Sequence, residues 1–288
     1  MSTSSLTRRE LAGIAQLNAS DKTPLILVHG LWLLPESWNR WIELAQSSSF
    51  IGFAPDWPDD PETIEEALRT PAVFAGKSVA AVTAHFAEFI ARLDRKPVLI
   101  GHSFGGLIVQ KLAGQGLAKA SVAISPGPIK GVWQLPFSSL KAAAPVLGNP
   151  ANYRRQVRLT AKQFRYAFAN TVSEQEAAEL YRTFSVPGSG MPLFQVAAAT
   201  FNPAAETRAD TSRADRGPLL VIAAEKDHTV PPALSRAAFR LQRRNPSTTE
   251  LIELPARAHS LVIDSGWAEV AKIALDFLET STAATDPR

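Results

Sequence analysis

The segment Gly101-His102-Ser103-Phe104-Gly105-Gly106 places a serine between glycines, directly after the apolar run 97–100 and directly before a helical pattern. A strand that turns sharply into a helix at this point holds the serine in a strained backbone conformation, with its Oγ at the strand's end. Glycine at the flanking positions relieves the crowding of such a turn. The Phe104 N–H, at the start of the helix, then points to where negative charge develops when a carbonyl is attacked. The run lacks the lysine of a P-loop and the glycine spacing of a dinucleotide fingerprint, which leaves nucleophilic chemistry as its reading.

A serine hydroxyl is a weak nucleophile until a base takes its proton, and the chain has five histidines to supply one. Where a serine sits on such an elbow, the partners follow in the order serine, acid, histidine, with the histidine in the loop after the last strand. His29 and His102 fall at early strand ends, His85 lies in an amphipathic helix, and His228 follows an acid directly, so His259 alone meets both conditions. Asp227, in Ala-Glu-Lys-Asp-His-Thr-Val-Pro just beyond the run 218–224, is the acid that would orient it; Glu225 is the nearest competitor, and Asp264 comes too late in the chain. A second oxyanion donor is expected from Leu31 N–H in His29-Gly30-Leu31-Trp32, where Gly30 lets the backbone turn.

The elements that must position these residues alternate. Runs 24–29, 50–54, 97–102 and 120–125 read as strands, separated by helical patterns at 37–46, 79–93 and 107–112. Val79, Val82, Phe86, Phe89, Ile90 and Leu93 recur at spacings of three and four, giving the second helix one apolar face. From 127 to 216 no clear strand follows; there are proline-rich loops and helical stretches near 161–169 and 174–184. Alternation resumes with strands 218–224 and 250–254 and helices 233–243 and 267–277. The expected architecture is α/β: one doubly wound, mostly parallel sheet formed by residues 24–126 and 217–280, with 127–216 as an inserted helical cap, 1–23 as an N-terminal extension and 281–288 as a tail.

Composition bounds the alternatives. The 288 residues are 45% hydrophobic and 20% charged, with a net charge of +3, too small and dispersed for a nucleic-acid footprint. There is no cysteine, which excludes disulfides, thiolate metal sites and a cysteine nucleophile together. No apolar run reaches the roughly 18–20 residues that cross a bilayer, so no membrane partner is expected. The segment 6–15, with Arg8 and Arg9, loosely resembles a twin-arginine export signal, but Gln16, Asn18 and Asp21 interrupt its apolar part; cytoplasmic location is the default expectation.

Taken together, His-Gly before Trp38, the Gly-His-Ser-Phe-Gly-Gly elbow, Glu-Lys-Asp-His-Thr-Val-Pro and Ala258-His259-Ser260 resemble the α/β-hydrolase superfamily, in the lid-containing serine esterase and lactonase branch that also includes cofactor-free haloperoxidase-like enzymes. The resemblance spans residues 24–278, with the cap alignable only in position and length. It implies an eight-strand core in full members, while the chain before Pro24 is too short and polar for a leading hairpin. Haloalkane dehalogenases and epoxide hydrolases of that superfamily carry aspartate at the elbow, where this chain has Ser103.

The expected activity is hydrolysis of a small, largely apolar carboxylic ester or lactone through an acyl-enzyme, with no metal or organic cofactor. Peroxide-dependent acyl chemistry, C–C bond hydrolysis and a ligand-binding receptor on the same fold stay open. Of 23 aromatic residues, ten fall within 127–216. Trp133, Phe164 and Phe168 from that stretch, with Trp32 and His102 from the core, are the candidate pocket residues, although most of the aromatics are expected to dock the cap onto the core. The same stretch carries eleven Lys or Arg against six Asp or Glu. Oligomeric state and natural substrate are not legible.

Overall fold

In the computed structural model, residues 6–283 are described. The first half of the chain runs α1 (Arg8–Ala19), β1 (Thr23–Val28), α2 (Asn39–Ala45), β2 (Phe50–Phe53), α3 (Ile64–Arg69), α4 (Val79–Ile90), β3 (Val98–His102), α5 (Phe104–Gly114) and β4 (Ser121–Ile124). Then come α6 (Phe137–Leu147), β5 (Gln156–Val157), α7 (Ala161–Ala167), α8 (Glu174–Phe184), β6 (Gly188–Ser189) and α9 (Met191–Ala198). The last third holds β7 (Leu219–Ala224), α10 (Pro232–Gln242), β8 (Thr249–Leu254) and α11 (Trp267–Ala283).

Six strands form one sheet in the order β2-β1-β3-β4-β7-β8, every neighbouring pair parallel. Strands β3, β4 and β7 are buried along their whole length, as parallel strands covered by helices on both faces must be. The strand order reverses between β1 and β3, so the carboxyl ends of these two strands flank the crevice where ligands of such sheets bind. Helix α5 lies against this junction, and a Cβ at Gly105 would collide with the carbonyl of Val28.

Several expectations are corrected. The N-terminal extension holds a helix docked on the core: Thr7 and Glu10 form a reciprocal capping box, the buried Glu10 carboxylate meets His85 Nε2 at 2.7 Å, and Arg9 pairs with Asp56 at 2.9 Å. The N-terminal arginines therefore belong to a docked helix. Residues 127–216 contain a two-stranded antiparallel ladder, β5 with β6, too short to show as a period. Helix α6 runs through Pro145, which has no N–H to give the Lys141 carbonyl and so removes one bond of the last turn. Residues 281–283 of the expected tail are helical, continuing α11, and 284–288 lie outside the described residues. Among the described residues no helix is long and apolar enough to cross a membrane.

Candidate active site

Ser103 links β3 to α5 with φ 56° and ψ −122°, a region that costs a non-glycine residue roughly 1–3 kcal/mol. Three backbone bonds over-determine it: Ser103 N–H donates to Ile124 O (3.0 Å), and Ser103 O accepts from Gly127 N–H (2.7 Å) and Leu107 N–H (3.2 Å). The side chain is thereby fixed at the sheet's carboxyl edge. Its Oγ lies 2.9 Å from His259 Nε2, and His259 Nδ1 lies 2.6 Å from Asp227 Oδ2. All three side chains are buried.

Asp227 and His259 form one hydrogen-bonded chain with Ser103, and the competing groups are engaged elsewhere. Asp227 Oδ1 accepts from Thr229 N–H (2.8 Å) and Val230 N–H (2.7 Å), which leaves Oδ2 for the imidazole. Glu225 instead accepts from Ala256 N–H and pairs with Lys226, while Asp264 is occupied by Arg257 and Ser260 Oγ. Among the other histidines, His29 is pushed down to about 3 by burial and bonds Gly30 O, and His228 bonds Tyr166 O. His102 is held well below the usual imidazole value, by burial first and then by the neighbouring His259. It is a neutral ring packed 4.5 Å from that of His259.

The loops that carry the acid and the histidine share one anchor. The carbonyls at the end of α7, which have no intrahelical partner, accept from both: Tyr166 O from His228 Nδ1 (2.9 Å), Ala167 O from Thr229 Oγ1 (2.7 Å), and Phe168 O from Ser260 N–H (2.8 Å). Asn170 Nδ2 adds a bond to Lys226 O at 2.9 Å.

A cavity of about 210 Å³ opens above Ser103, with Trp32 and Phe104 beside the serine and Trp133, Leu140, Leu193 and Val196 among its walls. The lining is mostly aliphatic and aromatic, which suits an apolar ligand part. Trp32 is fixed in a positive-φ turn (67°) by its Nε1–H bond to Val157 O at 2.9 Å. Gly30 crosses so close that a Cβ there would stand 2.8 Å from Ser103 Cβ. The Leu31 side chain lies behind this crossing, in a small cavity with Trp57, Asp60 and Lys77.

Three expected pocket residues lie elsewhere. Phe164 stacks on Phe168 at 4.9 Å, Phe168 meets the His259 ring edge-on at 4.8 Å, and His102 fills the space beside both. Their one-turn spacing put the two phenylalanines on one face of α7, and that face turns toward the core. Sequence reasoning missed Leu140, Leu193, Val196, Val230 and Leu234. The last two follow Asp227 by three and seven residues and were findable as part of the acid loop; α9 is apolar without a clear period.

A profile of the alpha/beta hydrolase family matches residues 25–273. No curated protein matches the sequence. Among solved structures, the monoacylglycerol lipase of Paleococcus ferrophilus superposes with a TM-score of 0.63 at 23% identity, covering 90% of this chain and 96% of that one. A pyrethroid hydrolase from Sphingobium faniae JZ-2 gives 0.59 at 18% identity, covering 91% and 99%. An extracellular alpha/beta-hydrolase from a Paenibacillus species gives 0.61 at 18%, covering 88% and 98%. At such identities the likeness is one of fold.

Proposed function

The chain belongs to the alpha/beta hydrolase family, and from that premise we propose that it is a serine hydrolase cleaving a small, largely apolar carboxylic ester or lactone. The observation that carries this reading is the continuous hydrogen-bonded chain from Ser103 through His259 to Asp227, at 2.9 and 2.6 Å. His259 Nε2 removes the Ser103 proton as Oγ attacks the carbonyl carbon. The imidazolium so formed is stabilised by Asp227, and then protonates the leaving alcohol. Water, deprotonated by the same nitrogen, attacks the acyl-serine and releases the acid.

The oxyanion rests on the N–H groups of Phe104 and Leu31. The first heads α5 beside the nucleophile, and the second follows the Gly30 crossing; each such donor is worth roughly 10²–10³ in rate. The aliphatic cavity takes the apolar part of the substrate, and residues 127–216 act as the cap that shapes it. Trp32 and Trp133 belong to that wall. Neither metal nor organic cofactor enters this scheme. The structural relatives named as lipase and hydrolase agree with it in kind.

The test is labelling with a fluorophosphonate probe together with turnover of short-chain p-nitrophenyl esters, comparing the native protein with Ser103→Ala. Both signals should be present in the first and absent in the second. A native protein that takes up no probe and turns over no ester overturns the reading, and favours a ligand-binding role for the cavity.

A further inference from the structure

Helix α6 is amphipathic in an unexpected sense. Ala142 and Val146 are buried on one side, whereas Phe137 is 80% exposed and Leu140 45% exposed on the other. Phe137, Leu140, Lys141 and Ala144 follow the i, i+3, i+4, i+7 spacing of one helical face. The same region exposes Trp133 (67%), Leu135 (73%) and Phe201 (88%). Trp133, Leu135, Leu140 and Phe201 also line the cavity above Ser103, so the apolar surface is continuous with the pocket. Exposed apolar surface gathered at one place marks an interaction site rather than chance.

Charge says what the site takes. Between residues 126 and 173 there are seven Lys or Arg and no Asp or Glu, and residues 185–205 also contain no acid. Arg154 and Arg155 are exposed, on a turn that packs against α6 and α9; Tyr153 on that turn meets Phe194 of α9 edge-on at 5.9 Å. A second copy of this chain docking face to face would oppose arginine to arginine with no acid to pair. Exposed tryptophan and phenylalanine with the exposed Arg154 and Arg155 on the adjoining turn match the interface of an anionic lipid bilayer, where aromatic rings sit at headgroup depth and each nearby Lys or Arg adds about 1 kcal/mol, roughly fivefold in partition.

Resting on the hydrolase reading, we propose that this rim docks the protein on an anionic lipid surface, so that an apolar ester passes from that surface over Trp133, Leu140 and Phe201 into the cavity. The docking is peripheral and reversible. It sets aside the expectation of no membrane partner, which rested on the absence of a spanning segment.

The test is flotation of the full chain with vesicles of phosphatidylcholine alone and with added phosphatidylglycerol, at low and high salt. Phe137→Ser and Arg154→Glu/Arg155→Glu are compared with the native protein, since none of these positions lines the cavity. The native protein should float with the anionic vesicles and be released by salt. Losing two basic side chains at about fivefold each should weaken partition by roughly thirtyfold or more, and Phe137→Ser should weaken it as well. Turnover of a soluble short-chain ester should be unchanged in both variants, which also reports that they fold.

Native protein that stays with the soluble fraction overturns the proposal, as does flotation that ignores the charge reversal. Sedimentation showing a dimer that Phe137→Ser dissociates assigns the rim to a second copy instead. Ser103→Ala is floated in parallel: if it binds vesicles while the native protein takes up no fluorophosphonate, the docking stands and the hydrolase reading fails. Probe uptake without flotation leaves the hydrolase reading standing and removes the docking.

Discussion

Replacing Asp227 by asparagine tests the proposed machinery through a constraint specific to this loop. Oδ1 of Asp227 is committed to two backbone donors, Thr229 N–H and Val230 N–H, at 2.8 and 2.7 Å. In Asp227→Asn the amide oxygen must take that position, because an NH₂ group would face two N–H groups. The NH₂ then occupies the place of Oδ2 and donates to His259 Nδ1, moving the ring proton to Nε2. A protonated Nε2 cannot accept the Ser103 proton. Flipping the amide back would leave two buried backbone donors unsatisfied at about 1–3 kcal/mol each, so the productive arrangement lies about 2–6 kcal/mol higher. That is a loss of roughly thirtyfold to twenty-thousandfold in kcat. Aspartate-to-asparagine exchange in a comparable triad costs about 10⁴, within the same range. The assay is p-nitrophenyl ester turnover at neutral pH, alongside ¹⁵N shifts of His259 that report which nitrogen carries the proton. A variant keeping more than a tenth of native kcat, or showing the proton still on Nδ1, refutes the reasoning.

Two further outcomes follow from buried charge. Burial by itself would raise the Glu10 carboxyl, but the His85 bond and charge and the Thr7 bonds outweigh it and hold its pKa below the ordinary 4.5. A lowered carboxyl stabilises the fold above its unfolded pKa and loses that contribution as pH falls through the folded value. Melting temperature should therefore drop below about pH 4.5 in the native protein and less steeply in Glu10→Gln; parallel curves would contradict the linkage. Arg216 is buried with no carboxylate partner among the described residues, its pKa pushed down to about 10 by burial. Its guanidinium instead donates to carbonyls of Gly217, Gln242, Ser247 and Thr248. Arg216→Met should cost at least about 3 kcal/mol in urea unfolding by stranding those acceptors, and an unchanged midpoint would show that water replaces it.

The parts of the fold that the sequence made legible are those with a period or a forced geometry. Each strand of the sheet lies within a residue or so of its apolar run, and Gly101, Ser103 and Gly105 announce a turn that few other residues tolerate. Asp227 and His259 were singled out from chain order, and the structure places His259 against Ser103 and Asp227 against His259. What sequence left unread was orientation and pairing over distance. The i, i+4 spacing put Phe164 and Phe168 on one face without saying that the face turns inward. Nothing local announces that Glu10 will meet His85, or that Arg216 will bond the carbonyls of Ser247 and Thr248 at the entry to β8. Helix α6 was hidden by Pro145, and its outward apolar face is the reverse of the usual pattern.

The carbonyl end of α7 has an implication for how this chain can vary. Because Tyr166, Ala167 and Asn170 hold the residues on either side of Asp227, and Phe168 holds the residue after His259, the stretch 127–216 is not a detachable visor. Its walls, α6 and α9, line the cavity, and α9 is tied to the core through Gln195 Oε1, which accepts from Val79 N–H at 2.9 Å. Residues 161–170 bear directly on the site: a shortened chain lacking them would keep Ser103 on its elbow yet release the loop that sets His259 beside it. Grafting a foreign roof between β4 and β7 should preserve reactivity only where the graft returns an equivalent row of acceptors to the same two loops.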